Sequence, residues 1–162
     1  HCSIERVNGG MDVKLSEILN ADRIVLDFDA RKKEDAIGAL VDPVVNGYDR
    51  DSILNEILER EKLGSTGVGQ GVAVPHVRLA DVQEPVVVFG RASKPVDFEA
   101  IDDEPCSLFF LVVGPTSADA QDAYLKTMAK ISRLMRSADV RRKLASAATE
   151  DDVIDVIAAN EA

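Results

Sequence analysis

The sequence predicts an α/β fold in one domain, with a mixed sheet of about five strands flanked by helices. Two runs, residues 85–92 and 106–113, are apolar on consecutive positions, which is typical of strands covered on both faces. Apolar residues at helical spacing lie before and after these runs. The 162 residues, 46% hydrophobic and 30% charged, suffice for one core, and no repeat or low-complexity linker divides them.

The first half of the chain predicts a strand followed by a helix. Residues 24–28 are rich in β-branched side chains, which favours a strand. Asp29 is the expected N-cap of a helix over about residues 31–45, and Pro43 is expected to kink or shorten that helix.

A second helix and a glycine-rich loop follow. Asp49 is the expected N-cap of a helix over roughly residues 50–62, whose apolar positions follow the 3, 4, 7 spacing. Four glycines then fall within residues 64–71, which predicts a loop. This loop leads into a short strand ending at His76.

After the two apolar runs, the pattern becomes helical. Residues 96–98 predict a short extended piece between the runs. Residues 140–148 predict a short helix, and Thr149 with Asp152 forms a capping box that opens another. A longer helix before these is predicted to present one face, made of Leu125, Met128, Ile131, Ser132 and Met135.

The overall charge limits the classes of partner. The chain has 19 Lys and Arg against 29 Asp and Glu, a net charge of -10, which repels nucleic acid and anionic lipid surfaces. A basic patch around Arg60, Lys62 and Arg78 could still receive a phosphate. The longest apolar stretch is far shorter than the ~20 residues that span a bilayer. We therefore expect a cytoplasmic protein with no nucleic acid partner and no direct membrane insertion.

The termini and the cysteines carry little functional signal. Residues 1–10 show no periodicity and are interpreted as a cloning remnant, which leaves residues 11–162 as the domain. His76 is then the one informative histidine, so no metal site is expected, and no cofactor either. Cys106, at the start of an apolar run, is expected to be a buried small hydrophobic residue.

The segment from Arg60 to His76 holds the residues suited to phosphate chemistry. Glycine backbone amides, Gly67 among them, can converge on an anion, and Ser65 and Thr66 add hydroxyl donors. Histidine has a reference pKa of ~6.5, so it can act as a neutral nucleophile near pH 7 without a separate base. Arg60 is the candidate guanidinium that would neutralise phosphoryl oxygens.

A simpler interpretation of the same segment stays open. A glycine-rich loop before Pro-His can be only a turn with an exposed histidine, and Arg60 can be an ordinary cation at a helix end. The loop lacks the Gly-Lys-Ser/Thr of a Walker motif, and no helix clearly follows it as in a dinucleotide fingerprint.

The segment Arg60-Glu-Lys-Leu-Gly-Ser-Thr-Gly67, with Gly71-Val-Ala-Val-Pro-His76, closely resembles the enzyme IIA domain of the phosphotransferase system, in its fructose, mannitol and nitrogen-regulatory class. The residue sequence of this segment looks most like that of the nitrogen-regulatory branch. The resemblance implies a mixed five-stranded sheet between helices. It also implies that His76 receives phosphate on Nε2 from an HPr-like phosphohistidine carrier protein, that Arg60 supports the site, and that a IIB protein or a regulatory target is the acceptor.

One position departs from the family pattern. The family usually places a second histidine at the start of the long helix after the last strand, and this chain has Tyr124 there. Tyrosine offers a hydrogen-bond donor but no cation near neutral pH. Two functions therefore stay open: a phosphotransferase component that accepts phosphate on His76, or a regulatory protein-binding module with weak or no phosphotransfer. Tyr124 itself can be a site residue or a packing residue.

Overall fold

One mixed β-sheet organises the protein, seen in a computed structural model that describes residues 14–44, 49–63, 67–80, 82–98, 102 and 104–161. Its strands are β1 (Ile24–Phe28), β2 (Gly67–Gly69), β3 (Val72–Ala73), β4 (His76–Leu79), β5 (Val86–Val96) and β6 (Cys106–Pro115). The helices of the described residues are α1 (Leu15–Ile18), α2 (Lys33–Val41), α3 (Arg50–Leu63), α4 (Gln121–Met135), α5 (Ala138–Ser146) and α6 (Glu150–Asn160).

Strand β6 lies at the centre of the sheet. It pairs antiparallel with β5 and parallel with both β3 and β4, while β1 pairs parallel with β5 and β2 antiparallel with β3. Strands β5 and β6 are buried along most of their length, with a hydrophobic cluster on each side of the sheet. The predicted α/β class and mixed sheet are confirmed.

The glycine-rich segment contributes the strands beyond the predicted number. β2 and β3 are joined by Gln70 and Gly71, whose φ angles are 61° and 77°. Left-handed conformation at both central residues is the pattern of a type I′ hairpin turn, which glycine adopts without strain. Part of the predicted loop is therefore a two-stranded hairpin against the sheet.

Strands β3 and β4 form one line of pairing along β6, interrupted at Val74-Pro75. Val72 and Ala73 pair with Leu108 and Phe109, and His76 pairs with Val112, so the register does not shift across the gap. Pro75 has no N–H to donate, although its carbonyl accepts from the N–H of Val112 at 3.0 Å. The interruption fixes His76 as the first residue of β4.

The helix starts show which capping predictions were right. The Asp29 N-cap was wrong, because α2 begins only at Lys33 and its N-cap residue is Lys32, which is extended and makes no side-chain cap hydrogen bond. The helix ends at Val41 and continues as a short 3₁₀ turn through Pro43, as the proline predicted. Asp49 is confirmed as a cap, since its Oδ1 accepts from the N–H of Asp51 at 3.2 Å.

Helix α4 buries the predicted face only in part: Ile131 and Met135 are buried and Met128 packs against the core, as predicted. Leu125 is 53% exposed and Ser132 is also exposed. The pattern was wrong by one position at the start of the helix, because Tyr124 lies against the sheet and turns Leu125 outward. The buried side chains of α4 are Tyr124, Thr127, Lys130, Ile131, Leu134 and Met135.

The two C-terminal helices agree better with the predictions. Helix α5 begins two residues before the predicted start because Ser137 caps it, accepting from the N–H of Val140 at 3.2 Å. The capping box of Thr149 and Asp152 is confirmed at the start of α6.

Arg91 on β5 joins the sheet to the end of α5. Its Nη1 donates to the carbonyls of Leu144 and Ala147 at 3.1 and 2.7 Å, and its Nε and Nη2 donate to both carboxylate oxygens of Asp27. Asp27 has a φ of 56°, a left-handed conformation that is uncommon for a residue other than glycine. The buried guanidinium thus links Asp27, a strained position of β1, to the C-terminus of α5.

Two further predictions concern burial and the chain ends. Cys106 is a free and fully buried thiol, as predicted, and burial raises its pKa to about 11. The proposed cloning remnant, residues 1–10, lies outside the described residues. No helix within the described ranges combines the length and the apolar character needed to cross a membrane.

Candidate functional site

His76 is half-buried at the start of β4, and its ring is held by the backbone. The Nδ1 atom lies 2.9 Å from the carbonyl oxygen of Val74. A carbonyl oxygen only accepts, so Nδ1 carries the hydrogen and donates it. In the neutral ring, the lone pair is therefore on Nε2.

An open pocket of about 590 Å³ surrounds His76. Helix α3, strand β4 and helix α4 each contribute side chains to it. This pocket, which we call the His76 pocket, is lined by Glu56, Glu59, Arg60, Leu63, His76, Val77, Arg78 and Tyr124. Three of the residues singled out in the sequence, His76, Arg60 and Tyr124, are brought together here.

Two arginines give the His76 pocket its positive charge. Arg60 lies in the last turn of α3 and is half-buried. Arg78 follows His76 by two residues on β4, so both side chains leave the strand on the same side. The basic patch predicted from the sequence included Arg78, but the predicted site did not. The alternation of side chains along a strand that begins at His76 was the signal that could have identified it.

Arg78 is anchored on two neighbours. Its Nε donates to the carbonyl of Pro115 at 2.9 Å, and its Cζ lies 5.2 Å from the ring centroid of Tyr124. This distance is typical of a cation over an aromatic face. Its Nη2 is buried, and no acceptor within the described part of the chain lies in hydrogen-bond reach.

Tyr124 is a buried ring in the first turns of α4, packed against β6. A Cβ built on Gly114 would come within 2.1 Å of its Cδ1 atom, so the ring occupies the space that a larger residue would need. Burial raises the pKa of the Tyr124 phenol above its usual value, and the charges of Arg78 and Arg60 partly oppose that shift. The hydroxyl is therefore a neutral donor near pH 7.

The described part of the glycine loop turns away from the His76 pocket. Gly67 is buried at the start of β2 and does not line the pocket. Gly69 and Gln70 line a second cavity of about 450 Å³, and the N–H of Gln70 donates to the carboxylate of Asp102 at 3.1 Å. The predicted donors Ser65 and Thr66 lie outside the described residues.

The other lining residues of the His76 pocket were not predicted from the sequence. Glu56 and Glu59 bring two exposed carboxylates from α3, and Leu63 is 86% exposed at its edge. Their helical spacing from Arg60 was the available signal. Within the described ranges, no three His, Cys, Asp or Glu side chains come together as metal ligands would.

The comparison with known families agrees with this geometry. Residues 17–160 match the family model described as "Phosphoenolpyruvate-dependent sugar phosphotransferase system, EIIA 2". The chain belongs to this family. The predicted resemblance is confirmed over nearly the whole domain, and the chain is an EIIA-family protein whose histidine pocket lies at the sheet's β4 edge.

Relatives of this EIIA-family protein come from both sugar-specific and nitrogen-regulatory groups. It is 38% identical to the fructose-specific EIIA component of Haloferax volcanii, over 91% of this chain and 97% of the relative. It is 33% identical to the fructose-specific EIIABC component of Bacillus subtilis, over 90% of this chain but only 23% of that relative. The crystal structure of nitrogen regulatory protein IIA-Ntr from Neisseria meningitidis superposes with a TM-score of 0.83 at 30% identity, covering 88% and 98% of the two chains.

Proposed function

We propose that His76 accepts a phosphoryl group on Nε2 from a phosphohistidine carrier protein of the HPr type. The observation that carries this proposal is the hydrogen bond from His76 Nδ1 to the Val74 carbonyl, which leaves the lone pair of the neutral ring on Nε2. Arg60 lines the same pocket and is the proposed support for the phosphoryl oxygens. Membership of the phosphotransferase-system family supports the class of reaction.

The proposed transfer balances without a cofactor or a separate base. The Nε2 lone pair forms the new P–N bond as the P–N bond of the donor breaks and its electron pair returns to the donor ring. A donor ring protonated on its other nitrogen leaves as neutral imidazole, and His76 takes over the positive charge as it gains the phosphoryl group. The Val74 carbonyl would then accept a hydrogen bond from a cationic ring, and such charge-assisted bonds are stronger.

The surface near the His76 pocket is suited to contact with another protein. Leu63 lines the pocket and Leu125 follows Tyr124, and both are among the large hydrophobic side chains left exposed in the described chain. Exposed apolar groups beside a charged pocket are typical of protein contacts. An HPr-like carrier is the proposed donor. A IIB protein is a proposed acceptor, because the Bacillus subtilis relative is named as an EIIABC component.

A regulatory role is the second candidate, and Tyr124 favours it. In place of the second family histidine, the chain has a buried ring that packs on Gly114. The phosphorylated or unphosphorylated domain would then bind a regulatory target, with slow phosphoryl uptake. The nitrogen-regulatory structural relative agrees with such a role as well.

Phosphorylation in a reconstituted system tests the proposal. The chain would be incubated with phosphoenolpyruvate, enzyme I and the HPr-like carrier, and its intact mass followed over time. We expect one added phosphoryl group on wild type, none on His76→Gln, and an unchanged result on His1→Gln, the matched control in a chain with two histidines. Label on His76→Gln would rule out the assigned acceptor. A wild-type chain that stays unlabelled, yet binds a target, would favour the regulatory role.

A further inference from the structure

Arg78 has an unexplained donor in the His76 pocket. Its Nη2 is buried and finds no acceptor in the part of the chain that the structure describes. Buried polar groups without a partner are rare in folded proteins, and a charged donor is the costliest kind. Such a donor points to an acceptor that is bound only in another state of the protein.

The guanidinium is positioned by neighbours that leave most of its donors unused. Arginine has five N–H donors, and the hydrogen bond to Pro115 takes only the one on Nε. The ring of Tyr124 lies under the guanidinium and contributes no hydrogen-bond acceptor through its face. A planar cation held at Nε and supported by a ring can offer its Nη hydrogens to a tetrahedral anion.

The charges of the His76 pocket require more than one cation for a phosphoryl group. Glu56 and Glu59 line the pocket and would repel its oxygens. Lys62 pairs with Glu59 at 2.8 Å and offsets that carboxylate. Arg60 balances Glu56, so a net positive charge toward an incoming anion depends on Arg78. The pocket then does not oppose the arrival of an anion.

We infer that Arg78 binds the oxygens of the phosphoryl group on His76, as the second cation of the site. This inference rests on the proposed function and adds a residue to it. The cation that the family usually supplies from the helix, as a second histidine, is then supplied from β4, and Tyr124 is the platform on which it rests. With Arg78 in place of the second histidine as the cation, a tyrosine can occupy that helix position in a phosphotransfer site.

Arg78→Gln tests the role, with Arg136→Gln as the matched control. Arg136 is an exposed arginine that lines the second cavity, so its replacement makes the same change in charge away from His76. We expect uptake from the carrier to be slower by on the order of 10- to 100-fold in Arg78→Gln, the usual effect of losing hydrogen bonds from a charged group. The control should match wild type. Equal uptake by Arg78→Gln and wild type would overturn the inference.

A titration with inorganic phosphate separates this inference from the proposed function. Phosphate is added to the free protein, and the ring signals of His76 are followed by NMR. We expect perturbation of these signals in wild type and Arg136→Gln, and an apparent affinity at least ~10-fold weaker in Arg78→Gln. An unchanged affinity in Arg78→Gln would contradict the role. If the carrier fails to label wild type, the proposed function fails, but this titration still decides whether Arg78 binds the anion.

Arg78→Lys distinguishes a loss of anion binding from a loss of the folded structure. It keeps the charge but not the planar fork, so uptake and phosphate affinity should fall between those of wild type and Arg78→Gln. Thermal midpoints measured on the same samples show whether the domain is intact. A Lys variant with wild-type stability and an intermediate defect would support bidentate binding. A defect that only follows the loss of stability would mean that Arg78 merely holds Pro115 and Tyr124.

Discussion

The ring of Tyr124 lies directly against Gly114, where a Cβ atom would approach Cδ1 to 2.1 Å and Cγ to 2.9 Å. No side chain fits there without displacing the ring. Because the same ring supports Arg78, the glycine on β6 determines where the guanidinium of the His76 pocket lies. A residue without a side chain thus influences the electrostatics of the site.

Gly114→Ala is expected to destabilise the protein by about 1–3 kcal/mol, the usual cost of overpacking a core, and to slow phosphoryl uptake. Gly38→Ala is the matched control, because its Cβ would meet only the flexible Nη2 end of Arg50, at 3.3 Å. That control should be neutral or slightly stabilising, as alanine favours a helix interior. Chemical denaturation of both variants checks this. A Gly114→Ala domain as stable as wild type would mean that the ring moves at little cost.

Tyr124→Phe is expected to slow phosphoryl uptake by raising its activation free energy by ~0.5–1.5 kcal/mol, the contribution of one neutral hydrogen bond. Because burial raises the pKa of the Tyr124 phenol, the hydroxyl stays protonated, and the ratio of wild-type to variant rates should be constant between pH ~6 and ~9. This ratio is measured from the rates of phosphoryl uptake from the carrier at several pH values. A ratio that changes with pH, or equal rates, would contradict the hydrogen-bond role.

Tyr124→His should restore the family pattern only in acid. The guanidinium of Arg78 lies over this position, so a like charge would lower the pKa of an introduced imidazole below its usual ~6.5. The variant is therefore expected to accept phosphate faster than wild type only below pH ~6, where the introduced ring is charged. The same rate series gives the answer. A gain that is already complete at pH 7 would show that Arg78 does not act on this position.

Arg60→Ala is expected to keep the fold and to slow phosphoryl uptake. Its activation free energy should rise by about 1.5–3 kcal/mol, because a charge-assisted contact to a developing anion is lost. Arg136→Ala is the matched control, since Arg136 is an exposed arginine that does not line the pocket. Uptake kinetics at saturating carrier compare the two. Equal effects from both variants would reduce Arg60 to a cation at a helix end.

Replacement of Arg91 should affect stability and not phosphoryl uptake. Arg91→Lys loses the guanidinium fork that bonds Asp27 and the end of α5, which is expected to cost roughly 1.5–3 kcal/mol in the free energy of unfolding. Lys94→Met, an exposed change on the same strand, is the control. Urea denaturation measures both. An Arg91→Lys domain of wild-type stability would show that the fork adds nothing over a simple charge.

The Asp27 side of this pair predicts a pH dependence. The hydrogen bond from Arg91 lowers the pKa of the Asp27 carboxyl below its usual value. A group with a depressed pKa stabilises the fold above its unfolded pKa, and that contribution is lost as the pH falls through the folded pKa. The difference in stability between wild type and Asp27→Asn should therefore be constant above pH ~5 and shrink below pH ~4.

The sequence predicted those parts of the fold and site that depend on local patterns. The central strands, the Asp49 cap and the capping box at Thr149 follow from residue types and spacing, and the structure confirms them. Cys106 was predicted from its apolar context. These signals need no knowledge of which elements contact each other.

What the sequence left open depends on contacts between distant segments. The buried face of α4 begins with Tyr124 and not with Leu125, because Tyr124 fits over a glycine ten positions earlier on another element. Arg78 could be recognised as a lining residue of the His76 pocket only once β4 and α4 came together there. The β2–β3 hairpin, read as a loop, needed the register of β3 on β6 to be recognised as sheet.

The bond between the His76 ring and the Val74 carbonyl joins residues only two positions apart. The orientation of Nε2, the proposed nucleophile, is therefore set within a tripeptide whose middle residue is a proline of fixed φ. A substitution in the distant core would reduce the fraction of folded molecules before it altered this alignment. Substitutions in the supporting protein, such as a tyrosine at position 124, can accordingly be tolerated while the His76 ring keeps Nε2 out of this hydrogen bond.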